Sequence, residues 1–435
     1  MQLRPPSVPL ITIDPYFSVW SPADRLTDAV TVHWTGHPNT IVGTAEIDGT
    51  AYRFLGKWNA RDDSPALTQT SRDCDALSTT YTFEGAGIEL KATFLTPLLM
   101  DDYDLLTRPV SYLRVEARST DGILRDVKVK IAVSEELCLN NRGDDEVEVT
   151  KYRLPSGIAA VKMGSKKQDV LNRSGDDIRI DWGYFHLAVE PGRTGCEKIS
   201  VPFVPRRRNE EAPEGFREEM TFVWAETELR TGSGYRCFLF AYDDVYSIDY
   251  FGDKLKSWWN RNGKTIEAAL DEAFSDFTAC GLPEKCKAFS DRLFLDATRA
   301  GGEKYAEICE ISYRQSIAAH KLAVDRDGQI LWISKECFSN GCAATVDVSY
   351  PSIPLYLLYN PELVRGMMRP IYKYARTDKW IFDFAPHDCG QFPLVRGQVY
   401  GANARDSQMP VEECGNMLVM AAAVAIADRE TKFAE

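Results

Sequence analysis

The chain has 435 residues, of which 44% are hydrophobic and 26% are charged, as is usual for a globular protein. Because a domain typically contains about 100–200 residues, two or three domains are expected. The net charge of −13 argues against nucleic acid as a partner, since phosphate binding requires a basic surface. The one basic cluster, Arg206–Arg208, is followed by Asn209, Glu210 and Glu211 and is interpreted as a solvated loop.

The sequence carries no signal for a membrane span or a bound cofactor. It has no run of about 18 apolar residues, so no span is expected. Its N-terminus lacks the apolar segment of a signal peptide, which predicts a cytoplasmic location, or a secreted or periplasmic one if a signal has been removed. The 11 cysteines include no CxxC pair and no zinc-finger spacing. We therefore expect free thiols and neither a metal nor another cofactor.

Alternating polar and apolar residues predict short strands throughout the first half. A run from Tyr81 to Phe94 is interrupted by a glycine-rich turn at 84–87, which predicts a hairpin. Many short strands with one polar and one apolar face are typical of an antiparallel sandwich. The helical crossovers of a parallel sheet are not seen. Further strands are predicted at Tyr52–Phe54, Ser111–Glu116, Val127–Val133, Thr221–Trp224 and Tyr235–Phe240.

The pattern changes near Gly263, and we place the boundary close to Trp258 and Trp259. Apolar residues at helical spacing predict helices over Thr265–Phe277 and Lys304–Val324.

Two later helices have recognisable starts. Asn360 is a suitable N-cap, followed by Pro361 at the first helical position. Pro410 opens another helix in the same way, with Glu412 and Glu413 in its first turn.

Three segments combine many polar side chains with glycine or proline: Ser334–Tyr350, Phe382–Gly390 and Gln408–Asn416. Polar loops on a rigid scaffold are where functional sites usually lie. In the second segment, Asp383, His387 and Asp388 fall within six residues. A histidine beside carboxylates can act as an acid, a base or a metal ligand.

Each of these residues also has a purely structural interpretation. Glu412 and Glu413 can be first-turn acids that stabilise a helix, and a general acid there would need burial to raise its pKa. Asp383 and Asp388 can cap turns, and His387 can be a structural hydrogen-bonding residue. Lys335 and Glu336 can be a surface pair of little energetic value. The sequence contains no GxSxG, SxxK, HExxH or P-loop motif.

Long stretches of the sequence resemble the glutaminase A family of bacteria and fungi. The rear half is similar over Ser334–Ala375, Phe382–Gly401 and Met409–Ala423, and the front half over Arg4–Asp28 and Tyr242–Trp259. The resemblance covers nearly the whole chain. It implies a β-sandwich in front, a six-hairpin α/α toroid behind, and hydrolysis of L-glutamine to glutamate and ammonia.

The predicted fold is therefore an N-terminal antiparallel β-sandwich followed by part of an α/α toroid. Residues 1–60 are expected to pack on the sandwich of 61–260, and 261–435 to form the helical part. Only about four to five helices are predicted, whereas a closed toroid needs roughly twelve. The chain is thus expected to be a fragment that forms an open arc and exposes apolar side chains of the Met417–Val424 helix.

Three functions remain open: a glutaminase-like amidohydrolase, a carbohydrate-active hydrolase or lyase that uses two carboxylates, and a non-catalytic carbohydrate-binding protein. In α/α toroids the pocket lies where loops meet the starts of inner helices, so the three polar segments are expected to converge on a small polar substrate. The predicted catalytic residues are Glu412, Glu413, Asp383 and Asp388, and the predicted substrate-binding residues are His387, Asp347, Tyr350 and Asn416.

Overall fold

The protein is represented by a computed structural model that describes residues 3–203, 211–212 and 216–433. The basic cluster Arg206–Arg208 lies outside the described residues. Strands dominate the first half, with one short helix, α1 (Tyr103–Thr107). The strands are β1 (Val8–Thr12), β2 (Ser18–Ser21), β3 (Val32–His33), β4 (Ile41–Ile47), β5 (Thr50–Leu55), β6 (Thr68–Cys74), β7 (Ser78–Gly85), β8 (Ile88–Leu95), β9 (Val110–Ser119), β10 (Asp126–Ser134), β11 (Val147–Arg153), β12 (Ala159–Ser165), β13 (Tyr184–Glu190), β14 (Arg193–Ser200), β15 (Glu219–Arg230), β16 (Tyr235–Asp243), β17 (Ile248–Tyr250) and β18 (Asp253–Leu255).

Two antiparallel sheets form a sandwich. The larger has the order β11-β12-β13-β16-β9-β8-β7-β6 and the smaller β14-β15-β10-β4-β5, and they pack on each other across a shared core. Alternation explains the packing: in β10, Val127, Val129 and Ile131 are buried, whereas Lys128 and Lys130 between them are half-buried. The predicted antiparallel sandwich is confirmed. A small sheet, β1-β2-β3, lies against it through contacts of β1 with β7 and β8.

Helices dominate the second half, which confirms the predicted combination of a β front and an α rear. Thr265 caps α2 by accepting a hydrogen bond from the Ala268 N–H, and Asn360 caps α6 through the Glu362 N–H. The elements are α2 (Ile266–Thr278), α3 (Leu282–Gly301), α4 (Glu303–Ala318), β19 (His320–Val324), β20 (Ile330–Ser334), α5 (Val346–Tyr359), α6 (Pro361–Ala375), β21 (Leu394–Val395) and α7 (Pro410–Asp428).

The predicted helix over Lys304–Val324 is wrong in its last part. Helix α4 ends at Ala318, and the following residues form β19, which pairs with β20 in an antiparallel hairpin. The turn explains the change, because the Asp325 carboxylate accepts hydrogen bonds from the Asp327 and Gln329 N–H groups. Such a local side-chain-to-backbone turn competes with continuation of a helix.

Helix α7 buries one side and exposes the other. Met417, Met420 and Val424 are buried, whereas Leu418 and Ile426 are exposed, so the expected exposure of apolar side chains is found. Among the described residues, α7 is also the one helix that is long and apolar enough to cross a membrane, with 22% of its most apolar window buried. Core helices of soluble proteins satisfy the same criterion, so this is weak support for a span.

A buried ion triad joins the first segment, the sandwich and the helical half. The Lys321 Nζ of β19 lies 2.5 Å from Asp14 Oδ2 and 2.8 Å from Asp244 Oδ2. The other Asp14 oxygen accepts the N–H groups of Tyr16 and Phe17. Burial lowers the pKa of Lys321, but the two carboxylates raise it by more, to above its ordinary value. The lysine therefore remains charged, and its position is determined by both carboxylates.

Replacing this lysine is expected to destabilise the protein strongly. Lys321→Met should lower the free energy of unfolding by about 3–5 kcal/mol, because two carboxylates would stay buried without their cation. Urea denaturation followed by circular dichroism measures the change. The triple variant Lys321→Met, Asp14→Asn, Asp244→Asn should recover much of the loss. Unchanged stability of Lys321→Met would contradict the role of the triad.

Helix α4 is held against the β6–β7 turn by a buried arginine. The Arg314 Nη2 donates to the carbonyl oxygens of Asp75 and Ser78 at 3.1 and 3.0 Å. Glu310 lies one turn earlier and is also buried. Burial, followed by the charges of Asp75 and Asp73, raises the pKa of Glu310 to about 8.

This raised pKa predicts a pH-dependent stability. The folded state holds the Glu310 proton more tightly than the unfolded chain does. The contribution of this proton to the free energy of unfolding is therefore complete below about pH 4.5 and is lost as the pH rises through about 8. Glu310→Gln should gain stability relative to the parent between pH 5 and pH 9 in urea denaturation. Glu303→Gln, exposed on the same helix, is the control. A constant difference across this range would refute the assignment.

Candidate active site at the starts of two helices

Two helices that pack together, α5 and α7, begin beside the loop that follows α6. Asp347 lies in the first turn of α5 and Glu413 in the first turn of α7. The Val346 N–H donates to the His387 carbonyl oxygen at 2.9 Å, which ties the loop to the start of α5. An acidic side chain in a first turn is favoured by the helix dipole. The fold therefore brings two carboxylates and an imidazole to one place.

His387 lies between two aspartates. Its Nδ1 is 2.9 Å from Asp388 Oδ2, and its Nε2 is 3.6 Å from Asp347 Oδ1. The first distance is a hydrogen bond and the second is too long for one. Burial lowers the pKa of His387, but Asp347 and Asp388 raise it by more, to about 10. The histidine in turn lowers the pKa of Asp347 against the effect of burial.

Glu413 is 0% exposed, and neither of its carboxyl oxygens has a hydrogen-bond partner. One potential ligand atom from each of Asp347, His387 and Glu413 lies within 4.8 Å of the others. Burial is the main cause that raises the pKa of Glu413, to about 7, while His387 lowers it and Asp347 raises it. A fully buried carboxyl group without a partner is costly, so this position requires an explanation beyond packing.

Asp388 is held by the tight loop around it. Its Oδ1 accepts the Gly390 N–H at 2.8 Å. The loop is tied to the segment before α5, because the Ala343 N–H donates to the Gly390 carbonyl and the Cys389 N–H donates to the Ala343 carbonyl. Gly390 has φ +130°, and a Cβ there would lie 2.5 Å from the Leu394 carbonyl oxygen. This position therefore needs glycine, which lets the loop close around Asp388.

The structure separates the predicted site residues into three groups. Asp347, His387, Asp388 and Glu413 come together as described. Tyr350 and Asn416 are each three residues further along α5 and α7, and so lie on the same sides of these helices as Asp347 and Glu413. Asp383 and Glu412 are exposed, outside the cluster.

Three residues beside the cluster, Lys335, Glu336 and Asp176, were not among the predicted site residues. Lys335 and Glu336 do not form the expected surface pair, because Lys335 is buried and donates to the carbonyl oxygens of Asp176 and Cys337. Glu336 accepts a hydrogen bond from Thr345 Oγ1 at 3.1 Å. Burial first, then the charges of the site's aspartates, raise its pKa. Asp176, from the sandwich half, also accepts the Gly341 N–H, and no local pattern signals this long-range contact.

Three family models match successive parts of the chain. The Glutaminase A six helical-hairpin domain covers residues 302–435. Two domains of unknown function, DUF5127 and DUF4964, cover residues 77–293 and 1–61. Glutaminase A of Aspergillus oryzae is 28% identical over 97% of this chain. The chain belongs to the glutaminase A family.

A second relative within this family is the probable glutaminase of Arthroderma benhamiae, which is 23% identical over 96% of the chain. The alignments cover 63% of the first relative and 52% of the second, so the chain spans roughly half to two thirds of their length. Among solved structures, a galactose mutarotase related enzyme from Lactobacillus acidophilus matches 54% of this chain and 97% of its own, at 9% identity and a TM-score of 0.24. A likeness this weak supports no conclusion.

Proposed function

We propose that the protein hydrolyses the side-chain amide of L-glutamine to give glutamate and ammonia. The names of the two relatives support this activity. The structural observation that carries it is the buried Glu413 carboxyl group, which faces Asp347 and His387 with both oxygens unpartnered. Because such groups are destabilising and are found mainly where a ligand or a reaction uses them, the cluster is the best candidate for the reactive centre.

The cluster contains the groups that amide hydrolysis requires. The oxygen of water bonds to the amide carbon, the C–N bond breaks, and the nitrogen leaves as ammonia with a proton that came from the water. Carboxylates and an imidazole within reach can hold the water and transfer this proton. The side chains of Asn416 and Tyr350, on the same sides of their helices as Glu413 and Asp347, offer an amide and a hydroxyl to the polar ends of glutamine.

Two adjacent glutamates provide a matched test. Glu413→Gln keeps the shape of the side chain, removes its charge and should lower ammonia release from L-glutamine by about 10²-fold or more. Glu412→Gln and Asp383→Asn make the same chemical change at exposed positions and should leave turnover within about twofold, since surface changes usually have small effects. Ammonia release is measured with folding checked by circular dichroism. Normal turnover of glutamine by Glu413→Gln would refute a catalytic role of Glu413.

A retaining glycoside hydrolase is the second candidate, and one distance favours it. One oxygen of Asp347 and one of Glu413 lie within 4.8 Å of each other, which is nearer to the roughly 5–5.5 Å between the carboxyl groups of retaining enzymes than to the roughly 6.5–9.5 Å of inverting ones. A panel of aryl glycosides and polysaccharides, read for reducing sugar and for unsaturated uronate, separates this reaction and lyase activity from ammonia release. Sugar binding without turnover of any substrate would instead indicate a carbohydrate-binding protein and refute both hydrolase proposals.

A further inference from the structure

We propose that Asp347, His387 and Glu413 together bind one divalent transition-metal ion, of the Zn²⁺ or Mn²⁺ type. The three ligands come from the start of α5, the loop after α6 and the start of α7, and one ligand atom of each lies within 4.8 Å of the others. The site is part of the proposed hydrolytic centre, so its catalytic meaning rests on the proposed function. The binding of the ion is independent of the proposed function.

The carboxyl oxygens of Asp347 and Glu413 that face one another have no other hydrogen-bond partner. Asp347 Oδ1 and both carboxyl oxygens of Glu413 are buried without a hydrogen bond. His387 Nε2 lies 3.6 Å from Asp347 Oδ1, which is too far for a hydrogen bond. It is close to the separation of about 3.3–3.6 Å between two ligands that each lie about 2.0–2.2 Å from one tetrahedral ion.

The second ring nitrogen of His387, Nδ1, has the carboxylate partner that is typical of a metal-ligating histidine. His387 Nδ1 bonds to Asp388 Oδ2 at 2.9 Å, and Asp388 is buried and further held by the Gly390 N–H. Metal-ligating histidines usually donate their second ring N–H to such a carboxylate, which orients the ring and makes it a stronger ligand. Asp388 thus directs Nε2 toward Asp347 and Glu413, where a cation would replace the Nε2 proton.

The excess of acidic side chains around the site also favours the binding of a cation. Four acidic residues, Glu336, Asp347, Asp388 and Glu413, surround one imidazole, and none of them pairs with a lysine or arginine among the described residues. A divalent ion would neutralise the two carboxylate ligands. The set of one imidazole and two carboxylates suits Zn²⁺ or Mn²⁺ better than Ca²⁺ or Mg²⁺, which prefer oxygen ligands alone. An ion held by three protein ligands leaves a position for water and increases its acidity.

Ion binding is tested directly, without substrate. Untagged protein is stripped with a chelator and dialysed, then titrated with ZnCl₂ and MnCl₂ in a calorimeter, with bound metal counted by mass spectrometry. We expect one ion per chain. Asp347→Asn and Glu413→Gln should weaken binding at least tenfold, and Asp388→Asn by about 10–100-fold. Glu412→Gln, the exposed neighbour, should bind like the parent protein.

The outcomes for the ion and for the reaction can be distinguished. Failure of the folded parent protein to bind either ion at one per chain would overturn the metal site, as would equal affinity in Asp347→Asn and Glu413→Gln. If one variant does not fold, the other decides. Binding of the ion without ammonia release would leave the metal site standing and refute glutamine hydrolysis. If stripped protein releases ammonia at the same rate in the presence of chelator, glutamine hydrolysis is supported and a catalytic role of the ion is refuted.

Discussion

Lys321 is a cation with almost no access to water, and the arrangement of the molecule depends on how its charge is satisfied. Its two carboxylate partners, Asp14 and Asp244, come from the first segment of the chain and from the end of the sandwich. A buried charge tolerates little displacement, because losing one partner leaves an uncompensated ion in a low-dielectric interior. The triad therefore holds the β19–β20 hairpin at one place on the sandwich, and this hairpin leads directly into the polar segment that contains Glu336 and Asp347.

The contrast between this triad and the candidate site is informative. In the triad, Asp14 and Asp244 share one lysine, Asp14 also accepts two backbone N–H groups, and Asp244 Oδ2 accepts the Ser247 hydroxyl, while Asp244 Oδ1 has no partner. At the candidate site, acidic groups outnumber the single imidazole, and Glu413 has no partner. The nearby buried cation, Lys335, is occupied by backbone carbonyl oxygens. The fold thus places a lysine between the buried carboxylates of the triad and provides no lysine or arginine partner to Asp347 or Glu413 among the described residues, which is the condition that a metal ion would meet.

Membership of the glutaminase A family and a mixed β and α fold leave more than one chemistry possible, since one fold can support unrelated reactions. Two carboxylates can act as acid and base in amide or in glycoside hydrolysis, and the approach of Asp347 and Glu413 to within 4.8 Å is compatible with either. What distinguishes them is the substrate's leaving group and the polar groups that orient it. Asn416 and Tyr350 are the residues whose contacts would reveal this, because they flank the cluster on the two helices that form it.

The sequence by itself determined the local structure and the neighbourhood of the site. Alternation along β10, the glycine-rich turn between β7 and β8, and the caps at Thr265 and Asn360 are short-range signals, and each predicted its element. It also placed His387 and Asp388 in a polar loop and Glu413 in a helix start. Only the tertiary structure showed that Glu413 is buried and Glu412 exposed, because adjacent helical residues point in different directions and burial depends on what packs against α7. The end of α4, the burial of Lys335 and the meeting of Asp347 with Glu413 likewise result from contacts between residues distant in the chain, for which no local pattern exists.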